Sequence, residues 1–196
     1  MNEPRRRGRP VELDLERVAH VALDMFRDQG YDAVTMEDIA RVVGHSRRTI
    51  FRHFPAKASL VWAGTDGFAD SLTAELARTD PSLPAMDAVR IAYVAATRIP
   101  SELHEVTRQR LLLIGDNHTL HSDGVARFAD VGAAIRQTFI DRDGLDPDGL
   151  DAAIVGDTLV LIAHQAFIWW ARHGEGEPGP VLEAAFDRVA EGFRRR

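Results

Sequence analysis

The chain has 196 residues, 45% hydrophobic and 28% charged, with a formal net charge of -6, the profile of a soluble globular protein of one large domain or two small ones. Cysteine is absent, which excludes disulfide staples, thiolate zinc sites and thiol nucleophiles. The opening MNEPRRRGRP has no apolar stretch after its arginines, so it is not read as a secretory signal, and a cytoplasmic protein is expected.

Charge is unevenly placed. Residues 1–57 hold eleven Lys/Arg against nine Asp/Glu, whereas residues 58–196 hold thirteen against twenty-one. That asymmetry suggests an end that faces nucleic acid and a body with other employment. Arg5, Arg6, Arg7 and Arg9 form a basic arm within residues 1–10, suited to a minor groove or to phosphates.

Helical periodicity runs nearly everywhere, with no convincing strand and no repeat, so the expected fold is all-α with about nine helices. A first helix is expected from about Asp14 to Gln29, with Leu15, Val18, Ala19, Ala22, Leu23 and Phe26 on one face and Gly30 as its stop. Thr35-Met-Glu-Asp38 has the form of a capping box, and Met36, Ile39, Ala40 and Val43 supply the stripe of a short second helix. Gly44 breaks it and Ser46 caps the next helix, giving two short helices joined by a glycine turn, the helix-turn-helix pattern. A longer helix is expected from Lys57 to about Arg78. Further helices are expected at roughly 84–98, 101–116, 123–142, 148–172 and 178–194, separated by Pro, Gly and Asp-rich breaks. The apolar run from Ala152 has membrane-spanning length, but Asp157, His164 and Gln165 interrupt it, so a buried helix is expected.

The stretch GHSRRTIFRHFPAK, Gly44 to Lys57, holds four cations and two histidines without an acid. At about 100° per residue, Ile50, Phe51 and Phe54 gather on one side of this third helix, and Arg48, Thr49, Arg52 and His53 on the other. Arg47 falls near the apolar side but sits in the first turn, free to project past the helix end. Taken alone, a charge run is a solvated helix face. Here the absence of acids, the capped pair of helices and the arginine arm favour insertion into a major groove, where arginine grips guanine and the phosphates. Lys57, at the start of the next helix, is placed to touch a phosphate.

The run from Val34-Thr35-Met36-Glu37-Asp38-Ile39-Ala40 through Thr49-Ile50-Phe51-Arg52-His53-Phe54-Pro55-Ala56-Lys57 resembles the DNA-binding domain of TetR-family transcriptional regulators. The resemblance covers residues 11–60 most strongly. It implies a DNA-binding domain at 11–57, a ligand-binding and dimerisation domain at 58–196, and a homodimer on a palindromic operator. It further implies that Arg47, Arg48, Thr49, Arg52 and His53 face the operator, with Lys57 on a phosphate and Thr35 beside them. Many relatives carry a small residue where Arg48 stands, so the operator sequence does not carry over.

In that family the last two helices build the dimer. The helix from Asp148 to Arg172 is apolar nearly all round, and the final helix carries Leu182, Ala185, Phe186, Val189 and Phe193 on one stripe. Val160, His164, Phe167, Leu182, Phe186, Val189 and Phe193 are accordingly expected at the interface between two chains. For the ligand, Trp62, Phe68, His104, Arg108, Leu112, His118, Phe128, His164 and Trp169 are candidate lining residues, although each aromatic taken singly is more often plain core. Arg47 to Arg52, Trp62 followed by Gly64 and Asp66, and Arg108-Gln-Arg-Leu-Leu-Leu resemble the subgroup with an acyl-CoA-like ligand-binding domain, which includes the mycofactocin-system regulators. That subgroup implies an apolar tunnel for an acyl chain, with Arg108 or Arg110 near the anionic head. Salt-bridging of these arginines with Glu102 and Glu105 is the plainer alternative.

The expected activity is a ligand-responsive repressor, not an enzyme. A sensor of flat aromatic cations on the same fold is the alternative, favoured if acids such as Asp116 or Asp157 line the pocket without Arg108. His118 and His121 could hold a metal with Asp116 or Asp123, but in a cysteine-free inter-helix loop no metal and no cofactor is assigned. A helical enzyme using its histidines lacks an activated nucleophile or general-base pair. An architectural DNA-coating protein would need a broad basic surface, which residues 58–196 lack.

Overall fold

The computed structural model describes residues 13–192. Arg5, Arg6, Arg7, Arg9 and Phe193 lie outside them. Among the described residues the regular structure is all helical, and the chain divides into a unit ending at Ala63 and a second beginning at Gly64.

In the first unit, α1 (Leu15–Gln29) begins where the Asp14 carboxylate accepts the Arg17 N–H at 2.9 Å. Its Val18, Ala19, Ala22, Leu23 and Phe26 recur at helical spacing and are all buried. α2 (Met36–Val43) opens with a capping box. The Thr35 hydroxyl accepts the Asp38 N–H at 3.2 Å, and the Asp38 carboxylate accepts the Thr35 N–H at 3.1 Å. Gly44, at φ +75, turns the chain out of α2, and the His45 N–H returns to the Ala40 carbonyl at 3.0 Å. α3 (Arg47–His53) is capped by Ser46, whose Oγ accepts the Thr49 N–H at 3.1 Å. α4 (Lys57–Val61) completes the unit. Ile39, Ile50, Leu60 and Val61 are fully buried, each worth about 1.5–3 kcal/mol of apolar burial.

The single helix expected from Lys57 to Arg78 is two. α4 stops at Val61 and α5 (Phe68–Arg78) starts seven residues later. Between them Gly64 and Gly67 sit at φ +82 and +86, a left-handed region that glycine enters without steric cost and that cannot continue a right-handed helix.

The second unit continues with α6 (Ala85–Ala96), a 3-10 turn at Ser101–Leu103, α7 (His104–Asp116), α8 (His118–Arg127), α9 (Ala129–Asp143), α10 (Leu150–His173) and α11 (Gly179–Ala190). The helix expected over 123–142 is likewise two, broken at Phe128, whose ring meets Phe68 edge-on at 6.1 Å. Among the described residues eleven α-helices therefore stand where about nine were expected. α10 is the spine, packed against α7, α9 and α11. It is long and apolar enough to cross a membrane, but its Leu159, Val160, Ala163 and Ala166 join the core with Leu72, Val89, Tyr93, Ile135 and Phe186. α9 and α10 meet backbone to backbone: a Cβ on Gly156 would lie 2.2 Å from the Gly132 carbonyl oxygen. The end of α9 staples the α5–α6 turn. Arg142 donates to Asp80 O at 2.8 Å and Thr79 Oγ1 at 2.7 Å, and Asp143 accepts the Ala85 N–H at 2.9 Å.

Candidate nucleic-acid interface and ligand cavity

α3 presents its cations outward because Ile50 and Phe54 are buried on its other side. Arg47, Arg48, Arg52 and His53 are exposed, and Thr49 is half-buried. The Arg47 guanidinium lies 5.1 Å from the Phe51 ring centroid and 3.7 Å from the Glu37 carboxylate of α2. Stacking on Phe51 holds it beside the helix start, where the wheel had placed it awkwardly. The Arg52 guanidinium donates to His53 Nε2 at 3.2–3.3 Å, so these two neighbours present one polar surface. Such exposed contacts contribute little to stability and yield readily to a base edge or phosphate.

Two expected DNA contacts are committed inside the unit. Thr35 serves the capping box, with its hydroxyl 2.5 Å from Asp38 Oδ2; this bond, with the Thr35 backbone and Arg41, lowers the Asp38 pKa. Lys57 is half-buried. Its ammonium donates to the Tyr31 and Val34 carbonyls at 2.6 and 3.1 Å and stands 4.2 Å from the centre of the Tyr31 ring. Those carbonyls belong to the link between α1 and α2, which lacks helical partners, and the lysine supplies the donors. Nothing local in the sequence signals that role, because the partners lie 23 and 26 residues away.

In the second unit the candidate ligand residues separate into groups. Phe128 and His164 line one cavity of about 210 Å³, together with Gly124, Asp157, Thr158, Val160 and Leu161. Burial, then the nearby His121, lowers the His164 pKa to about 4, so its imidazole is neutral at physiological pH. Phe68 and Phe128 also border a second cavity of about 200 Å³, with Arg127 and Asp130.

His104 and Arg108 instead surround Trp170. Arg108 lies 4.5 Å from that ring centroid and donates to the Trp170 and Ala171 carbonyls, both at 2.9 Å. Those carbonyls lie in the last turn of α10, where the Trp170 carbonyl also accepts the Gly174 N–H at 2.8 Å. Arg108 thus ends a helix where a ligand headgroup, or a salt bridge to Glu102 or Glu105, was expected. His104 Nε2 is 2.9 Å from Ile99 O. Leu112 is half-buried, His118 is exposed at the start of α8, and Trp62 is buried. Trp169 is 52% exposed, with its ring centroid 5.0 Å from that of His173.

The expected dimer residues also need revision. Leu182 and Phe186 are 0% exposed within one chain, with Phe186 5.4 Å from Tyr93, so they belong to the core and not to a surface another chain can reach. Val160 is buried, and Phe167 and Val189 are partly buried against the same core. Leu15, Val42 and Ile91 are open singly on other helices, whereas α10 leaves four open: Leu150, Ile154, Leu161 and Trp169, which are 75%, 50%, 45% and 52% exposed. Their spacings of four, seven and eight place them on one face.

Comparison with known proteins agrees with this geometry. Residues 19–63 match the tetR family of bacterial regulatory proteins, and residues 83–194 match the MftR C-terminal domain. A mycofactocin biosynthesis transcriptional regulator, MftR, of Mycobacterium tuberculosis is 26% identical over 96% of this chain and 95% of its own. The fold is similar to that of FadR of Thermus thermophilus, a TetR-family repressor solved with lauroyl-CoA, at a TM-score of 0.56 and 20% identity over 93% and 96% of the two chains. It is also similar to PfmR, a TetR-family regulator from the same organism, at 0.54 and 19% over 91% and 100%.

Proposed function

Since the chain belongs to the tetR family of bacterial regulatory proteins, with an MftR-type C-terminal domain, we propose that this transcriptional regulator is a cytoplasmic, ligand-responsive repressor acting as a homodimer on a palindromic operator. The observation that carries the reading is α3, a capped helix with Arg47, Arg48, Arg52 and His53 exposed and Ile50 and Phe54 buried. The arginine arm adds sequence-independent affinity through phosphates. Dimerisation uses the open face of α10, where Leu150, Ile154, Leu161 and Trp169 of one copy meet those of another. Paired α3 helices then meet half-sites about 34–36 Å apart. An effector acts by binding better to a state with a different spacing, and weakens operator binding by that difference in affinity.

A long-chain acyl-CoA is the effector we favour, on the strength of the lauroyl-CoA complex of the similarly folded FadR. A second reading, an aromatic-cation or drug sensor, draws on two observations: Asp157 lines the cavity with Phe128 and His164, and Arg108 is engaged at the end of α10. The test is a mobility-shift assay on DNA upstream of the protein's own gene, with acyl-CoAs of increasing chain length and then with aromatic cations. Release by long acyl-CoAs is expected. Release by cations alone transfers the assignment to Asp157, and failure to shift the DNA at all removes the operator reading.

A further inference from the structure

α8 and α10 bring together two imidazoles, and the regulator reading gives their pairing no role. His121 Nδ1 and His164 Nε2 are 3.3 Å apart, and the ring centroids are 5.0 Å apart with the planes at 56°. Two rings joined end to end by a straight hydrogen bond of that length would have centroids about 5.6 Å apart. The shorter separation means that the two rings are bent away from that straight arrangement. A cation about 2.05 Å from each nitrogen would see them at an angle of about 107°, and the centroids would then be about 5.1 Å apart. Both measured distances fit a shared tetrahedral ligand position.

We propose that His121 and His164 form a two-imidazole site for a divalent cation of the zinc, nickel or copper class. Two features suit the role. The Gln165 side-chain nitrogen lies 3.5 Å from the outer nitrogen of His121, and a half-turn of that amide would bring its oxygen to accept the imidazole N–H, as an outer-shell group does. His164 also lines the 210 Å³ cavity, which leaves room for water or an effector oxygen at the remaining positions. Among the described residues no third histidine or carboxylate completes a cluster with the pair. The site is therefore open, and the ordering of first-row ions at nitrogen ligands favours Cu²⁺ over Ni²⁺ and Zn²⁺. The sequence suggested a pairing of His118 with His121. The exposed His118 takes no part in this one.

The test uses the untagged full chain, stripped with a chelator and titrated calorimetrically with CuCl2, NiCl2 and ZnCl2, with paramagnetic resonance of the copper form to count nitrogen ligands. One equivalent with two coordinated nitrogens is expected. His121→Ala and His164→Gln should each weaken binding at least tenfold, and His118→Ala should leave it unchanged. Melting of the metal-free variants checks folding; if His164→Gln is unfolded, the half-buried His121 gives the decisive variant. Wild-type affinity in the folded His121→Ala protein, a dependence on His118, or no binding at millimolar metal would overturn the site.

Discussion

Replacing Lys57 by Met removes the ammonium but keeps an apolar stem of similar length. In the native chain that ammonium donates to the Tyr31 and Val34 carbonyls and lies against the Tyr31 ring. A hydrogen bond to a charged group contributes about 1.5–3 kcal/mol, and the ring contact about 0.5–1 kcal/mol. Lys57 is only half-buried, so water takes over part of the loss, and the combined cost should be about 2–4 kcal/mol. At a factor of ten per 1.4 kcal/mol, amides protected by the packing of α1 on α2 should exchange about 30 to 700 times faster. Hydrogen exchange read by mass spectrometry, at a temperature where the variant stays folded, measures this directly. Operator affinity over a salt series provides the contrast, since loss of one phosphate contact from each protomer of the dimer lowers the logarithmic salt slope by about 1.8. The expected result is faster exchange with a nearly unchanged slope. Unchanged exchange with a slope reduced by about 1.8 would refute the internal role and return Lys57 to the phosphate.

Gly156→Ala places a Cβ 2.2 Å from a backbone oxygen that has no room to rotate away, so it should cost about 3 kcal/mol or more in chemical denaturation. Gly115→Ala, which meets the Ile168 side chain at 2.8 Å, should cost less; equal losses would deny the α9–α10 contact its special tightness. Arg108→Gln should lower stability by about 1.5–3 kcal/mol while the regulator still responds to its effector. A lost response at unchanged melting temperature would make Arg108 a ligand residue. Asp38 has a pKa lowered by its bonds to Thr35, so its contribution is complete above the ordinary carboxylate range and disappears as pH falls through the lowered value. The stability gap between wild type and Asp38→Asn should therefore close on acidification; a gap that widens would reverse the sign assigned to the capping box.

The first unit was the more legible half because its punctuation is local. Asp14, Thr35, Gly44 and Ser46 each act within a few residues of where they stand, and the helix starts and stops follow them. The opposite faces of α3 could be read in the same way, from period alone. What failed was partnership. A wheel shows that α11 carries Leu182 and Phe186 on one stripe, but not whether a second chain or Tyr93 covers it. α10 is apolar all round, so periodicity could not say that Leu159 and Ala163 turn inward while Ile154 and Leu161 stay open. Arg108 was read as a headgroup or salt-bridge residue and Lys57 as a phosphate contact because their carbonyl partners lie 62 and 63, and 23 and 26, residues away. The breaks at Gly64, Gly67 and Phe128 fell inside patterns that were helical on both sides.

The claim that α3 reads DNA is tested most directly by footprinting wild type and the Arg47→Ala/Arg48→Ala double variant on DNA upstream of the gene. Each bidentate arginine–guanine contact is worth about 1–3 kcal/mol, whereas the exposed Arg47–Glu37 pair at 3.7 Å adds little to folding. The expected result is a wild-type footprint of two half-sites about one helical turn apart, absent in a double variant that melts normally. The same footprint at the same affinity in the double variant would contradict the assignment of these arginines to the operator.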